Sequence, residues 1–273
     1  MSKAQTQTTN AVANKTASKV ATLDVTQLEN LAGLGVENVG QRDLALPFLK
    51  ILSQLSPQVI QGDSRYIEEA KAGQIYNSVS DKLYDGKVGL RVVPCFYKLE
   101  YLEWRDRGQE GSGAPIAIYD STSDILSKTT RGPDKKDRLS NGNYIEETAS
   151  HYVLMVDDND QPTESALITM KATQRKKSRK WNSMIMTQRV KGKNGFFQPP
   201  SFAQIYRLKT TLEKNNLGSW FGWDIEFDKN VPNNTLLKAA QDFYNTCKQG
   251  EVKVQHGEEE VAQTTASNES NPY

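Results

Sequence analysis

Between Ser165 and Leu212 the chain carries eleven cations and no Asp or Glu: Lys171, Arg175, Lys176, Lys177, Arg179, Lys180, Arg189, Lys191, Lys193, Arg207 and Lys209. The formal charge of the whole chain is only +1, so everything outside this window sums to −10. A positive stripe on an otherwise acidic chain gathers polyanions at one place, and nucleic acid is the commonest such polyanion. Aromatic rings crowd the same stretch, with Trp181, Phe196, Phe197, Phe202 and Tyr206 inside it and Trp220, Phe221 and Trp223 just beyond. Cations neutralise phosphates and rings stack on unpaired bases, which is the chemistry of single-strand binding. The candidate nucleic-acid-binding set is therefore the eleven cations with Phe196, Phe197, Tyr206, Trp220, Phe221 and Trp223.

Other chemistries find less support. Of the two histidines, His256 falls in a polar tail, and His151 begins a strand without a second His or a Cys beside it, so it reads as structural. Asp157, Asp158, Asp160 and Glu164 are of the type that holds Mg2+ in a nuclease, yet turn formation accounts for an Asp-Asp-Asn-Asp-Gln-Pro run more simply. Lys191-Gly-Lys-Asn-Gly195 lacks the Gly-Lys-Ser/Thr ending of a phosphate-binding P-loop, and Gly33 to Gly40 has neither the glycine spacing nor the preceding strand of a dinucleotide loop. Cys95 and Cys247 are far apart and outside any C-x-x-C pair, which points to buried hydrophobes. No catalytic residue, cofactor or metal is assigned.

These residues need elements to position them. Residues 1–22 have no aromatic, no acid and no apolar run, and are expected to form a disordered tail with neither a signal peptide nor a membrane span. Residues 250–273 form a second polar tail of charge −4. Between them, residues 23–249 read as one domain. Leu23 to Ala32 suits a short helix, and the spacing of Phe48, Ile51, Leu52 and Leu55 between Pro47 and Pro57 predicts a core helix. Ile75 to Val79 and Val88 to Trp104 flank the hairpin signal Tyr84-Asp-Gly-Lys87, with a bend expected at Pro94. Pro115 to Tyr119, Tyr144 to Val156, Ser165 to Ala172, Ser201 to Glu213 and Ser219 to Phe227 supply further strands. Arg131 to Asn143 reads as a flexible loop and Asn233 to Lys248 as a closing helix.

Thr173 to Val190 is the inserted basic helix. At 100° per residue Trp181, Met184 and Ile185 share one face, and Arg175, Lys176, Arg179 and Lys180 the opposite one. Solvated helices ordinarily mix signs to gain i,i+4 pairs, so the absence of Glu favours a polyanion site. In Ser201 to Glu213 two faces compete for the interior, and Trp220 and Phe221 cannot both be buried on one side of a strand. The fold class is mainly β with added helices (α+β), an OB-like small β-barrel carrying an inserted basic helix.

The strings Met170-Lys-Ala-Thr-Gln-Arg-Lys-Lys-Ser-Arg-Lys-Trp-Asn-Ser183 and Gly218-Ser-Trp-Phe-Gly-Trp223, with an acidic tail, resemble tailed-phage single-stranded-DNA-binding proteins of the OB type. That resemblance covers the chain from Asp43 onward. It implies an OB core, a basic cleft, stacking rings and a tail that contacts replication proteins; this tail is less acidic than that pattern. The expected function is sequence-nonspecific binding of single-stranded DNA in phage replication or recombination, without enzymatic activity, in the host-cell cytoplasm. RNA binding, a strand-annealing recombination mediator and a metal-dependent nuclease are the alternatives.

Overall fold

The computed structural model describes residues 25–32, 34–37, 45–106, 108–110, 113–216, 218–250 and 252. The expected tails at 1–22 and 250–273 therefore lie outside the described residues, apart from Gly250 and Val252, as do Gly33, residues 38–44 and His256. The chain divides into two units, residues 1–39 and 40–273. The first contains a six-residue helix, α1 (Val25–Asn30). All that follows concerns the second.

Its body is a curled, half-barrel antiparallel sheet built from five long strands: β4 (Leu90–Trp104), β8 (Tyr144–Val156), β9 (Pro162–Met170), β12 (Gln204–Asn215) and β13 (Gly218–Asn230). β4 pairs with β8 and β8 with β9; β12 then returns to pair with the start of β4, Tyr206 opposite Val92 and Leu208 opposite Leu90. Three successive neighbours with the fourth strand beside the first is Greek-key order. α2 (Arg175–Thr187) is the connection between β9 and β12. Pro94 removes a ladder donor, and the β4–β8 register shifts between Pro94 and Phe96, as the proline led us to expect.

Both faces of this sheet are covered at its centre, so the central strand β8 is buried along nearly its whole length, while β12 and β13 turn polar and exposed towards the turn that joins them. On one face Val92, Val153, Ile168, Tyr206, Leu208, Trp223 and Ile225 pack with Trp181 and Ile185 of α2. On the other Val93, Cys95, Leu154, Leu167 and Ile205 pack with α3 (Asn234–Lys248), whose Leu236, Ala240, Phe243 and Cys247 recur at helical spacing. Asn233 caps α3 by accepting the Leu236 N–H at 2.8 Å. The competition between the two faces of β12 is thus resolved by burying both.

Two sequence expectations are corrected. The segment after Pro47 is a strand, β1 (Leu49–Ile51), pairing with β2 (Ile75–Asn77). Phe48, Leu49 and Leu52 enter three different cores, which an extended chain can feed and a single helix face cannot. The Tyr84–Lys87 turn does not join paired strands either: β3 (Leu83–Tyr84) pairs with β2, while β4 leaves for the main sheet. The outer halves of β4 and β8 continue as an arm edged by β5 (Ala117–Asp120), β6 (Thr130–Arg131) and β7 (Asp137–Arg138). Within the polar stretch 131–143, Arg138 is pinned to Asp106 at 2.9 Å and Asp134 at 2.6 Å. Among the described residues no helix is long and apolar enough to cross a membrane.

Candidate nucleic-acid interface

The cationic window does not emerge as one surface, because carboxylates from neighbouring strands reach into it. Lys171 is buried and pairs with Glu146 of β8 at 2.9 Å. Arg175 is buried too: it donates to Glu147 Oε1 at 2.5 Å and to Ser178 Oγ at 3.3 Å. Lys177 pairs with Glu213 of β12 at 2.6 Å and Lys209 with Glu226 of β13 at 2.7 Å. Arg207 reaches the Val88 carbonyl at 3.4 Å and lines a separate cavity of about 480 Å³ with Arg91, Tyr84 and Glu164. There burial, with Glu164 nearby, pushes the Tyr84 hydroxyl up to about 12. Lys171 and Arg175 are thereby removed from the surface expected of them; their acidic partners lie outside the window and meet it only through the sheet.

Two of the aromatic candidates are core. Tyr206 is fully buried, its hydroxyl on Gln204 and its ring edge-on to Trp181, and Trp223 packs in the same cluster. Both point to the α2 side of the sheet, so neither is placed to stack on a base. Trp181 is in the core as expected, stacked on His151 at 4.5 Å. His151 is structural: it shares a 2.8 Å hydrogen bond with Ser178, and burial, reinforced by the Arg175 charge, lowers its pKa to about 3. The acidic turn is structural as well, since Asp160 binds Arg91 at 2.6 Å and Lys229 at 2.8 Å. Among the described residues no three His, Cys, Asp or Glu are grouped to hold a metal.

What remains outside is compact in sequence. On α2, Lys176 and Arg179 keep side-chain exposures of 66% and 68% despite carboxylates 4.0 and 3.7 Å away, and Lys180 beside them is exposed. Immediately after the helix, β10 (Val190–Gly192) and β11 (Gly195–Phe197) form an isolated hairpin, turning through Lys193 and Asn194. Gly195 has φ +115°, a conformation an L side chain rarely adopts. Phe196 is 73% exposed and Phe197 50%, large values for rings that would ordinarily be buried. Lys191 stands directly opposite Phe196 in the pairing, so cation and ring share a face. Arg189, Lys191 and Lys193 are exposed and, like Lys180, form no ion pair with a described carboxylate.

Trp220 and Phe221 take an intermediate position. Both are partly exposed and line, with Leu49, Ile51, Thr173 and Gln174, a pocket of about 100 Å³ at the head of α2. Trp220 Nε1 donates to Glu213 at 3.1 Å. Gln174 escaped the sequence reasoning; its signal was Gly222, where a Cβ would lie 2.9 Å from the Gln174 amide nitrogen and 3.0 Å from the Glu213 carboxyl carbon.

No curated protein and no solved structure matches the chain. A family model does, that of Pam3 phage gp34-like protein, over residues 14–253 and hence over most of the chain. The exposed hairpin, the cationic row of α2 and the sheet that carries them all fall inside that match, and the chain belongs to this phage family.

Proposed function

We propose that this protein binds single-stranded DNA during phage replication or recombination, as a non-enzymatic component of the host-cell cytoplasm. The observation that carries the reading is the β10–β11 hairpin, which holds Phe196 and Phe197 in solvent among Arg189, Lys191 and Lys193 and continues the exposed row Lys176, Arg179, Lys180. Exposing two phenylalanines costs hydrophobic free energy, and stacking on bases returns about 1–3 kcal/mol per ring. Unpaired bases are what such rings engage, so the preference is for single over double strands. The Greek-key order β12-β4-β8-β9, with α2 between the third and fourth strands and β13 closing the set, supports an OB-like barrel left partly open.

Fluorescence anisotropy with labelled single- and double-stranded oligonucleotides tests this. Tighter binding of the single strand, weakening with salt, is the expected result; equal affinity for both, or no binding at low salt, defeats it. Incubation of the same oligonucleotides with Mg2+ is expected to leave them intact.

A further inference from the structure

We infer that the pocket at the head of α2 is a base-binding subsite that accepts one pyrimidine ring of the bound strand. The inference deepens the proposed function and rests on it. Trp220 and Phe221 of β13 supply aromatic walls, Leu49 and Ile51 of β1 an apolar floor, and Thr173 and Gln174 a polar rim. An apolar pocket with a few convergent polar groups is the general form of a small-ligand site. Size then selects the ligand. An enclosed apolar cavity of about 150 Å³ holds one benzene molecule, so a pocket of about 100 Å³ seats a single six-membered ring only because its mouth is open, and it leaves no room for the second fused ring of a purine.

The polar rim selects in the same direction. Gln174 Oε1 accepts the Trp223 backbone N–H at 2.9 Å, which fixes the orientation of the amide, and among the described residues nothing accepts from its Nε2. The absence of a side chain at Gly222 is what lets that amide lie against β13. A fixed NH2 donor matches the ring carbonyls of thymine and cytosine, whereas adenine has no carbonyl to offer. The pocket is also tied to the cationic row. Glu213 binds Trp220 Nε1 at 3.1 Å and Lys177 at 2.6 Å, so the stacking wall and the start of α2 are held as one piece. From Lys176 to its end at Thr187 the helix advances about 16 Å at 1.5 Å per residue, and the hairpin begins three residues later. Pocket and hairpin therefore stand at opposite ends of one row of cations.

The test uses the full chain with oligo(dT) and oligo(dA) of equal length at matched salt. The wild type is expected to bind oligo(dT) about tenfold more tightly, and Trp220→Leu or Gln174→Ala to bring the ratio close to one while keeping the salt dependence. Since Gln174→Ala also removes the partner of the Trp223 backbone N–H, a measurement that needs no substitution is added. Oligo(dT) carrying 5-iododeoxyuridine, photo-crosslinked to the wild type, is expected to mark residues 169–174 or 220–223. Equal affinities for the two oligonucleotides, a preference that survives in a folded Trp220→Leu, or crosslinks confined to residues 189–197 would overturn the subsite while leaving single-strand binding intact. Failure of every single strand to bind would instead overturn the underlying reading.

Discussion

Replacing Arg175 with Ala separates the two roles that this cation admits. In the sequence it belongs to the stripe expected to bind phosphates; in the structure its guanidinium is buried between Glu147 and Ser178. The substitution removes two hydrogen bonds from the guanidinium, a short one to a carboxylate worth about 1.5–3 kcal/mol and a long one of 3.3 Å to a hydroxyl worth about 0.5–1.5 kcal/mol. Glu147 keeps a third of its side chain in water and has Arg179 at 3.7 Å, so the orphaned carboxylate rehydrates and the penalty stays below the 3–5 kcal/mol typical of sealed pairs. The expected loss is about 2–4 kcal/mol, read from urea unfolding followed by circular dichroism. Lys180→Ala, fully on the surface, is expected to change stability by less than about 0.5 kcal/mol. In the proposed binding to single-stranded DNA the expected order is the reverse: Arg175→Ala is expected to retain the salt dependence of the wild type and Lys180→Ala to lose part of it. An Arg175→Ala protein as stable as the wild type but impaired in DNA binding would refute the assignment of this residue to the core.

Further outcomes follow from the same geometry. Trp181→Ala empties a fully buried site between His151 and Tyr206, and unfolding is expected to show a loss of about 3–5 kcal/mol. Gly86→Ala would bring a Cβ to 2.0 Å from the Gly73 carbonyl and 2.1 Å from Thr210 Oγ1, and a loss of about 1–3 kcal/mol is expected in the same assay. His151 stays neutral in the fold down to about pH 3, whereas the unfolded chain protonates it near pH 6.5. Above 6.5 the two states bind equal protons; below it the unfolded state binds more, so stability falls with pH by about 1.4 kcal/mol per unit across that window. Between pH 6.5 and 5, above the range of the carboxylates, a His151→Gln variant is expected to lack this slope in urea titrations.

Much of this arrangement was legible in the chain. Strand-forming runs bounded by turn residues located β8, β9, β12 and β13, and the 3.6-residue period placed Trp181, Met184 and Ile185 on the packed face of α2. What failed did so for non-local reasons. Phe48, Ile51, Leu52 and Leu55 satisfy a helical period by coincidence, because β1 distributes neighbouring side chains among different cores. The acid-free window was read as an unneutralised stripe, yet Glu146, Glu147, Glu213 and Glu226 lie outside it and are brought against Lys171, Arg175, Lys177 and Lys209 only once the sheet forms. Tyr206 and Trp223 looked available for stacking because single-strand propensity cannot tell a two-sided core from an exposed face.

The most direct test of single-strand binding at the hairpin and the exposed face of α2 is the salt dependence of affinity, with and without the hairpin cations. Lys176, Arg179, Lys180, Arg189, Lys191 and Lys193 are the six exposed cations of this surface. Six phosphate contacts to a single strand predict a slope of log affinity against log salt near about −4, and the triple variant Arg189→Ala, Lys191→Ala, Lys193→Ala should lower it to about −2 in a folded protein. A triple variant with the affinity and slope of the wild type would contradict the account.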